Sequence, residues 1–197
     1  MRARAVPLSR YFVFVAIAAT GLSLDLGTKH WAFTSIGMPG EGRMPIFGET
    51  LVLETSLNEG ALFGMGQGFS VWFGALTIVA LTGLLCWLFL AGAARYWLLT
   101  IALGGVVAGM LGNLYDRFGF AGLTWNYPPE RIGESVYAVR DWVHFHWQGV
   151  IDWPLFNVAD SLLVGGAGLL ILHSLLTPAR PENEPVREST ARPSQAA

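Results

Sequence analysis

Asp116, Asp141, Asp152 and Asp160, all in the second half of the chain, are the residues with the most chemistry in reach. Two carboxylates facing each other in a partly desolvated cleft cannot both ionise easily, so one keeps a proton while the other accepts one from water. Such a pair can hydrolyse a peptide bond. The ionised partner activates the attacking water, the protonated partner hydrogen-bonds the carbonyl oxygen, and the proton passes later to the leaving amine. Spacing alone does not choose the two among the four aspartates. Other routes lack their parts: there is no G-x-S-x-G elbow, no H-E-x-x-H helix and no phosphate-binding glycine loop. The lone Cys86 falls in an apolar run without polar company and reads as a buried, inert thiol. His144 and His146 form a two-ligand H-x-H, weak as a metal signal and better read as an interfacial aromatic patch with Trp142, Phe145 and Trp147.

The elements that must hold these groups are membrane spans. Hydrophobic residues make up 53% of the 197 and charged residues only 13%, about half the usual charged share of a soluble domain. A net charge of −2 offers no field for nucleic acid. Charge-free apolar runs of the length that crosses a bilayer place spans at about 11–31, 71–91, 96–115 and 159–176. The first run follows Arg2, Arg4 and Arg10 like a secretory signal peptide, but its apolar face continues past Asp25 to Phe33 and no small-residue cleavage pattern follows. An uncleaved helix is expected. Arg2, Arg4 and Arg10 before span one, Arg95 between spans two and three, and Arg180, Arg187 and Arg192 after span four predict that both termini are cytoplasmic. The tail 177–197, rich in Pro, Glu and Arg, reads as a disordered cytoplasmic extension.

This topology sends the polar residues to one face. Asp25 and Lys29 close span one, Asn58 and Glu59 lead into span two, Asn113, Asp116 and Arg117 end span three, and Asn157 and Asp160 open span four. Ionisable groups near hydrocarbon are costly unless paired or wetted, so such a cluster marks a functional site. Asp25 and Lys29, four apart on one helix face, read as a structural ion pair. Outer loops 34–68 and 118–157 supply the remaining polar groups, and Leu51–Thr55 suggests a strand there. Gly105 and Gly109 form a small-residue face read as helix packing within one monomer rather than a dimer contact.

Four stretches together resemble the lipoprotein signal peptidases, the signal peptidase II family. Asp25-Leu-Gly-Thr-Lys29 resembles D-x-x-S/T-K, and Asn58-Glu-Gly-Ala-Leu-Phe63 resembles N-x-G-A-A-F/W with Leu62 in place of the second alanine. Gly112-Asn-Leu-Tyr-Asp-Arg117 matches G-N-x-x-D-R, and Phe156-Asn-Val-Ala-Asp160 matches F-N-x-A-D. The order and the placement at four span ends make the match specific, over about Arg10 to Leu176.

The resemblance implies a mainly α membrane protein of four helices with a small extracytoplasmic β platform. It implies an aspartic endopeptidase of the bacterial inner membrane that cuts diacylglyceryl-modified prolipoproteins before the lipidated cysteine, with its site at the outer face and no metal or organic cofactor. Membrane lipids and prolipoprotein substrates are the implied partners, and a monomer is expected. Carried over by motif, the catalytic pair is Asp160 and Asp141, the latter from Val139-Arg-Asp-Trp-Val-His144, with Asp152 in Val150-Ile-Asp-Trp153 as runner-up. Asn58, Asn113, Asp116, Arg117 and Asn157 are the support and substrate-binding residues, Asp116 being expected to fix Arg117 and the cleft. A stretch around Leu123–Pro129 reads as an insertion relative to the family, by default a tolerated surface loop. The rivals are a small transporter or channel subunit whose carboxylates relay protons or ions near the midplane, and a purely structural membrane partner.

Overall fold

The computed structural model of the chain describes residues 5–60 and 65–176. The tail 177–197 and the Ala61–Phe63 portion of the second motif lie outside those residues. Among the described residues, four helices are long and apolar enough to cross a membrane: α1 (Leu8–Ser35), α2 (Ser70–Leu85, prolonged by a π-helical turn over Cys86–Leu90), α3 (Trp97–Arg117) and α4 (Val158–Leu176). The expected spans agree with these to within a few residues. Only α1 is notably longer, because its helix runs past Lys29 to Ser35 and carries the chain into the platform.

Phe14, Ala18, Gly21, Asp25, Lys29, Ala32 and Phe33 are the buried residues of α1, and their spacing of three and four places them on one face. α3 is the central helix, with 56% of its span buried against 11% for α2 and for α4. Its glycines permit that position. A Cβ at Gly109 would come within 2.5 Å of the Ala159 carbonyl oxygen on α4, and one at Gly112 would collide with the Asp25 carboxylate on α1. The Gly105/Gly109 face therefore packs within the chain, against Leu162 and Ala159 of α4. Arg10 stacks 3.3 Å over the Trp97 ring, which brings the start of α1 and the start of α3 to the same end of the bundle. The chain reverses between α2 and α3 at Gly92, whose φ of 82° suits glycine. Cys86 differs from expectation: it is exposed on the outer surface of the bundle, on the apolar side that α2 presents outward.

At the opposite end the two long connections form one antiparallel sheet in the order β1 (Arg43–Phe47), β2 (Leu51–Asn58), β3 (Val139–Trp147), β4 (Ile151–Phe156). The single strand expected at Leu51–Thr55 is thus part of a four-stranded platform. β2 and β3 are far apart in sequence but adjacent in the sheet, with Asn58 opposite Val139 and Ser56 opposite Asp141. Ala32, Phe33 and Ile36 at the end of α1 pack on Leu53, with Leu57 and Trp142 alongside, and so fasten the sheet to the bundle.

Candidate active site

Asn157 stands between β4 and α4, and its side chain and backbone N–H together organise that junction. Its Oδ1 accepts the Asp160 backbone N–H at 2.9 Å, while its own N–H donates to Asp160 Oδ2 at 3.2 Å. This is a reciprocal capping box, with asparagine at the cap and a carboxylate three residues on. Its Nδ2 then donates to Asp141 Oδ1 at 2.6 Å, joining the helix start to β3. The next free donor of the helix, Ala159 N–H, is satisfied at 2.8 Å by Asp25 Oδ1 from α1.

Behind these groups lies a largely buried network. Lys29 Nζ reaches Asp25 at 2.8 Å, Asp116 at 3.0 Å and Asn113 Oδ1 at 2.9 Å, with Asp25 and Lys29 both at 0% exposure. Asn113 Nδ2 in turn donates to Asp160 Oδ1 at 2.9 Å. Asp116 also accepts from Arg140 Nε at 2.8 Å and from the Arg140 N–H at 3.2 Å. The expectation that Asp116 fixes Arg117 is corrected here. Neighbouring residues on a helix point about 100° apart, so Asp116 faces Lys29 and Arg140 while Arg117 turns to the Gly60 carbonyl (2.8 Å) and Ser70 Oγ (3.3 Å). Arg140 and Ser70 were missed in the sequence. For Arg140 a signal existed, a charge inside an otherwise buried strand start beside a candidate aspartate; for Ser70 there was none.

Asn58, Asn113, Arg117, Asp141 and Asp160 line one cavity of about 440 Å³, whose remaining wall is largely apolar and includes Leu76, Ala80 and Val164. Asp141 is buried, and burial pushes its carboxyl up to about 7. The Asp160 charge adds to that push, whereas hydrogen bonds from Asn157 and Asn58 and the Lys29 charge oppose it. The charges close: Lys29 and Arg140 match Asp25 and Asp116, so Arg117 is left to balance one negative charge shared by Asp141 and Asp160. One proton on that pair satisfies the balance.

Asp152 stands elsewhere. It is exposed on the sheet, hydrogen-bonded to His144 at 2.8 Å and 3.2 Å from His146, which hold its carboxyl below the usual range. It does not line the cavity. The two histidines, read as an aromatic patch, therefore belong to a polar cluster that the sequence did not reveal. The stretch read as an insertion is also built in. Across it the Trp125 N–H donates to the Glu134 carbonyl and the Gly133 N–H to the Trp125 carbonyl, and Arg131 forks onto Glu59 at 2.8 and 3.0 Å, next to Asn58.

A four-helix bundle of membrane-spanning length, with two carboxylates from separate elements facing one largely apolar cavity, has the parts that an integral membrane hydrolase of the aspartate-pair type requires. The family model for signal peptidase (SPase) II matches residues 17–176. The lipoprotein signal peptidase of Rhodopirellula baltica is 39% identical over 181 residues, covering 91% of this chain and 79% of that protein. That of Mycobacterium avium is 35% identical over 172 residues, 86% of this chain and 82% of its own length. Two solved bacterial membrane enzyme structures obtained by the in meso method superpose with a TM-score of 0.66 each, at 27% and 26% identity, covering 82% and 84% of this chain and 87% and 94% of theirs. The chain belongs to the signal peptidase II family, and it is a multi-pass bacterial membrane protease. The transporter reading has no support in these likenesses.

Proposed function

We propose that this chain is a lipoprotein signal peptidase that cleaves diacylglyceryl-modified prolipoproteins before the lipidated cysteine, with Asp141 and Asp160 as its catalytic pair. The observation that carries the assignment is the convergence of these two aspartates, from β3 and α4, on one cavity with an apolar wall. Asp160 accepts hydrogen bonds at both oxygens, as an ionised carboxylate does, and takes the proton of the attacking water. Asp141, pushed up to about 7, carries the proton that hydrogen-bonds the scissile carbonyl and then serves the leaving amine.

Asn157 and Asn113 hold the two carboxylates in register, and Asn58 and Arg117 face the space where the substrate backbone lies. Asp116 acts one step back, by fixing Lys29 and Arg140. The apolar wall suits the diacylglyceryl chains, which reach the site sideways from the bilayer while water comes from the platform side. The Arg distribution supports cytoplasmic termini and a site at the outer face. The intramolecular use of the Gly105/Gly109 face supports a monomer.

The test is signal-peptide release from a diacylglyceryl-modified prolipoprotein by detergent-purified protein. Asp160→Asn and Asp141→Asn are each expected to reduce cleavage by about 10²-fold or more, whereas Asp152→Asn retains most of it. An essential Asp152 with a dispensable Asp141 would overturn the assigned pair.

A further inference from the structure

Three adjacent strands bring four polar side chains together on the sheet, outside the cavity. His144 and His146 are two residues apart on β3 and therefore share a face. Asp152 lies directly opposite His146 on β4, and Val52 opposite His144 puts Glu54 diagonally across on β2. His144 Nδ1 meets Glu54 Oε1 at 2.6 Å, His144 Nε2 meets Asp152 Oδ1 at 2.8 Å, and His146 Nδ1 lies 3.2 Å from the same oxygen. One ligand atom from each of His144, His146 and Asp152 falls within 4.8 Å of the other two. Ligand atoms around a tetrahedral zinc, at bonds of about 2.0–2.1 Å, stand about 3.3 Å apart. Small side-chain adjustments convert one arrangement into the other.

We propose that His144 Nε2, His146 Nδ1 and a carboxylate oxygen of Asp152 bind one divalent zinc-class ion on the outer face of the sheet. Glu54 orients the ligand set: by accepting from His144 Nδ1–H it fixes the tautomer that leaves Nε2 free to bind metal, as outer carboxylates do at histidine metal sites. The charge fits as well. With neutral imidazoles, Glu54 and Asp152 carry two negative charges, and Arg43, which is opposite Glu54 in register, is held by Glu49 at 2.6 Å. Two imidazoles and one carboxylate favour zinc-class ions over calcium or magnesium, which prefer oxygen donors. None of the three ligands lines the cavity, so the ion takes no part in cleavage. Its place is mechanical. It pins β4 to β3 just before Trp153–Phe156, the segment that forms one wall of the cavity.

The experiment titrates ZnCl₂ into untagged, chelator-treated, full-length protein in detergent by calorimetry, with the melting temperature read in parallel. One equivalent of zinc binds, His146→Ala and Asp152→Asn each weaken it by at least about 10-fold, and Glu54→Gln weakens it within the range of about 10–100-fold typical of outer-shell partners. Zinc raises the melting temperature of the wild type and not of His146→Ala, while millimolar CaCl₂ does neither. Asp152→Asn preserves size at an exposed position, so its loss of binding reports the ligand and not the fold. X-ray absorption on the loaded protein should give two imidazole nitrogens at about 2.0 Å. A wild type that binds no zinc, or either His146→Ala or Asp152→Asn binding within twofold of the wild type, overturns the proposal.

Discussion

Asp141 and Asp152 sit in nearly the same local sequence, Val-Arg-Asp-Trp and Val-Ile-Asp-Trp, and both are strand residues of one sheet. Their surroundings differ in every other respect. Asp141 is 3% exposed at the sheet's junction with the bundle and is pushed up to about 7, whereas the open Asp152 is drawn below the carboxylate range by two imidazoles. The same side chain is a buried carboxyl that favours its proton in one place and an exposed carboxylate that favours its charge in the other. Burial and the sign of the neighbours decide which.

Substitution at the buried end should separate the two regions most. Lys29→Met strands Asp25 and Asp116 in the dry interior with Arg140 as their remaining cation, and unpaired buried charge costs about 3–5 kcal/mol. The melting temperature in detergent should fall steeply; a small shift would mean that the network is wet.

The pH profile tests the Asp141 side directly. Its folded pKa lies above the ordinary 3.8, so the fold favours the protonated form. The stabilisation is complete below about pH 4 and is lost as pH rises through about 7. Cleavage should decline on the alkaline side of about pH 7, roughly tenfold per unit once the shared proton is gone. Asp141→Asn should flatten the stability slope over that window, and Asp152→Asn should leave it in place.

Asn157→Ala removes a helix cap worth about 1 kcal/mol and the hydrogen bond to Asp141 together. Cleavage should fall much more than stability, because misplacing a reacting group by about 1 Å can cost about 10²-fold. An equal loss of both would reduce Asn157 to a cap. The smallest effect belongs to Arg131→Ala, which breaks the partly exposed fork to Glu59 and should cost under about 1 kcal/mol by thermal melting. If its cleavage rate also falls severalfold, the stretch around Leu123–Pro129 has a part in placing Asn58.

The four spans were legible because a bilayer demands long uninterrupted apolar runs, a one-dimensional requirement that composition satisfies or does not. The gathering of Asp25, Asn58, Asn113, Asp116, Asn157 and Asp160 at one end followed from the same topology. The Asn157–Asp160 capping box is equally local, a contact between residues three apart, but it went unread in the sequence. What the chain could not declare in one dimension were contacts between distant elements. Asp116 and Arg117 are adjacent in the chain and invite pairing, yet helix geometry turns the two apart and hands Asp116 to Lys29 and Arg140. The exposure of Cys86 belongs here too, because an apolar run does not say which side of a helix faces the bundle.

The sequence by itself determined the class: apolar runs, four short motifs at their ends, and a set of aspartates able to share a proton. The tertiary structure decided the surroundings of each aspartate. Strand register set Asp141 opposite Ser56 at the cavity and Asp152 opposite His146 on the outer sheet. A carboxylate's chemistry is fixed by the water and charge around it, and those are properties of the folded surroundings rather than of the four residues on either side.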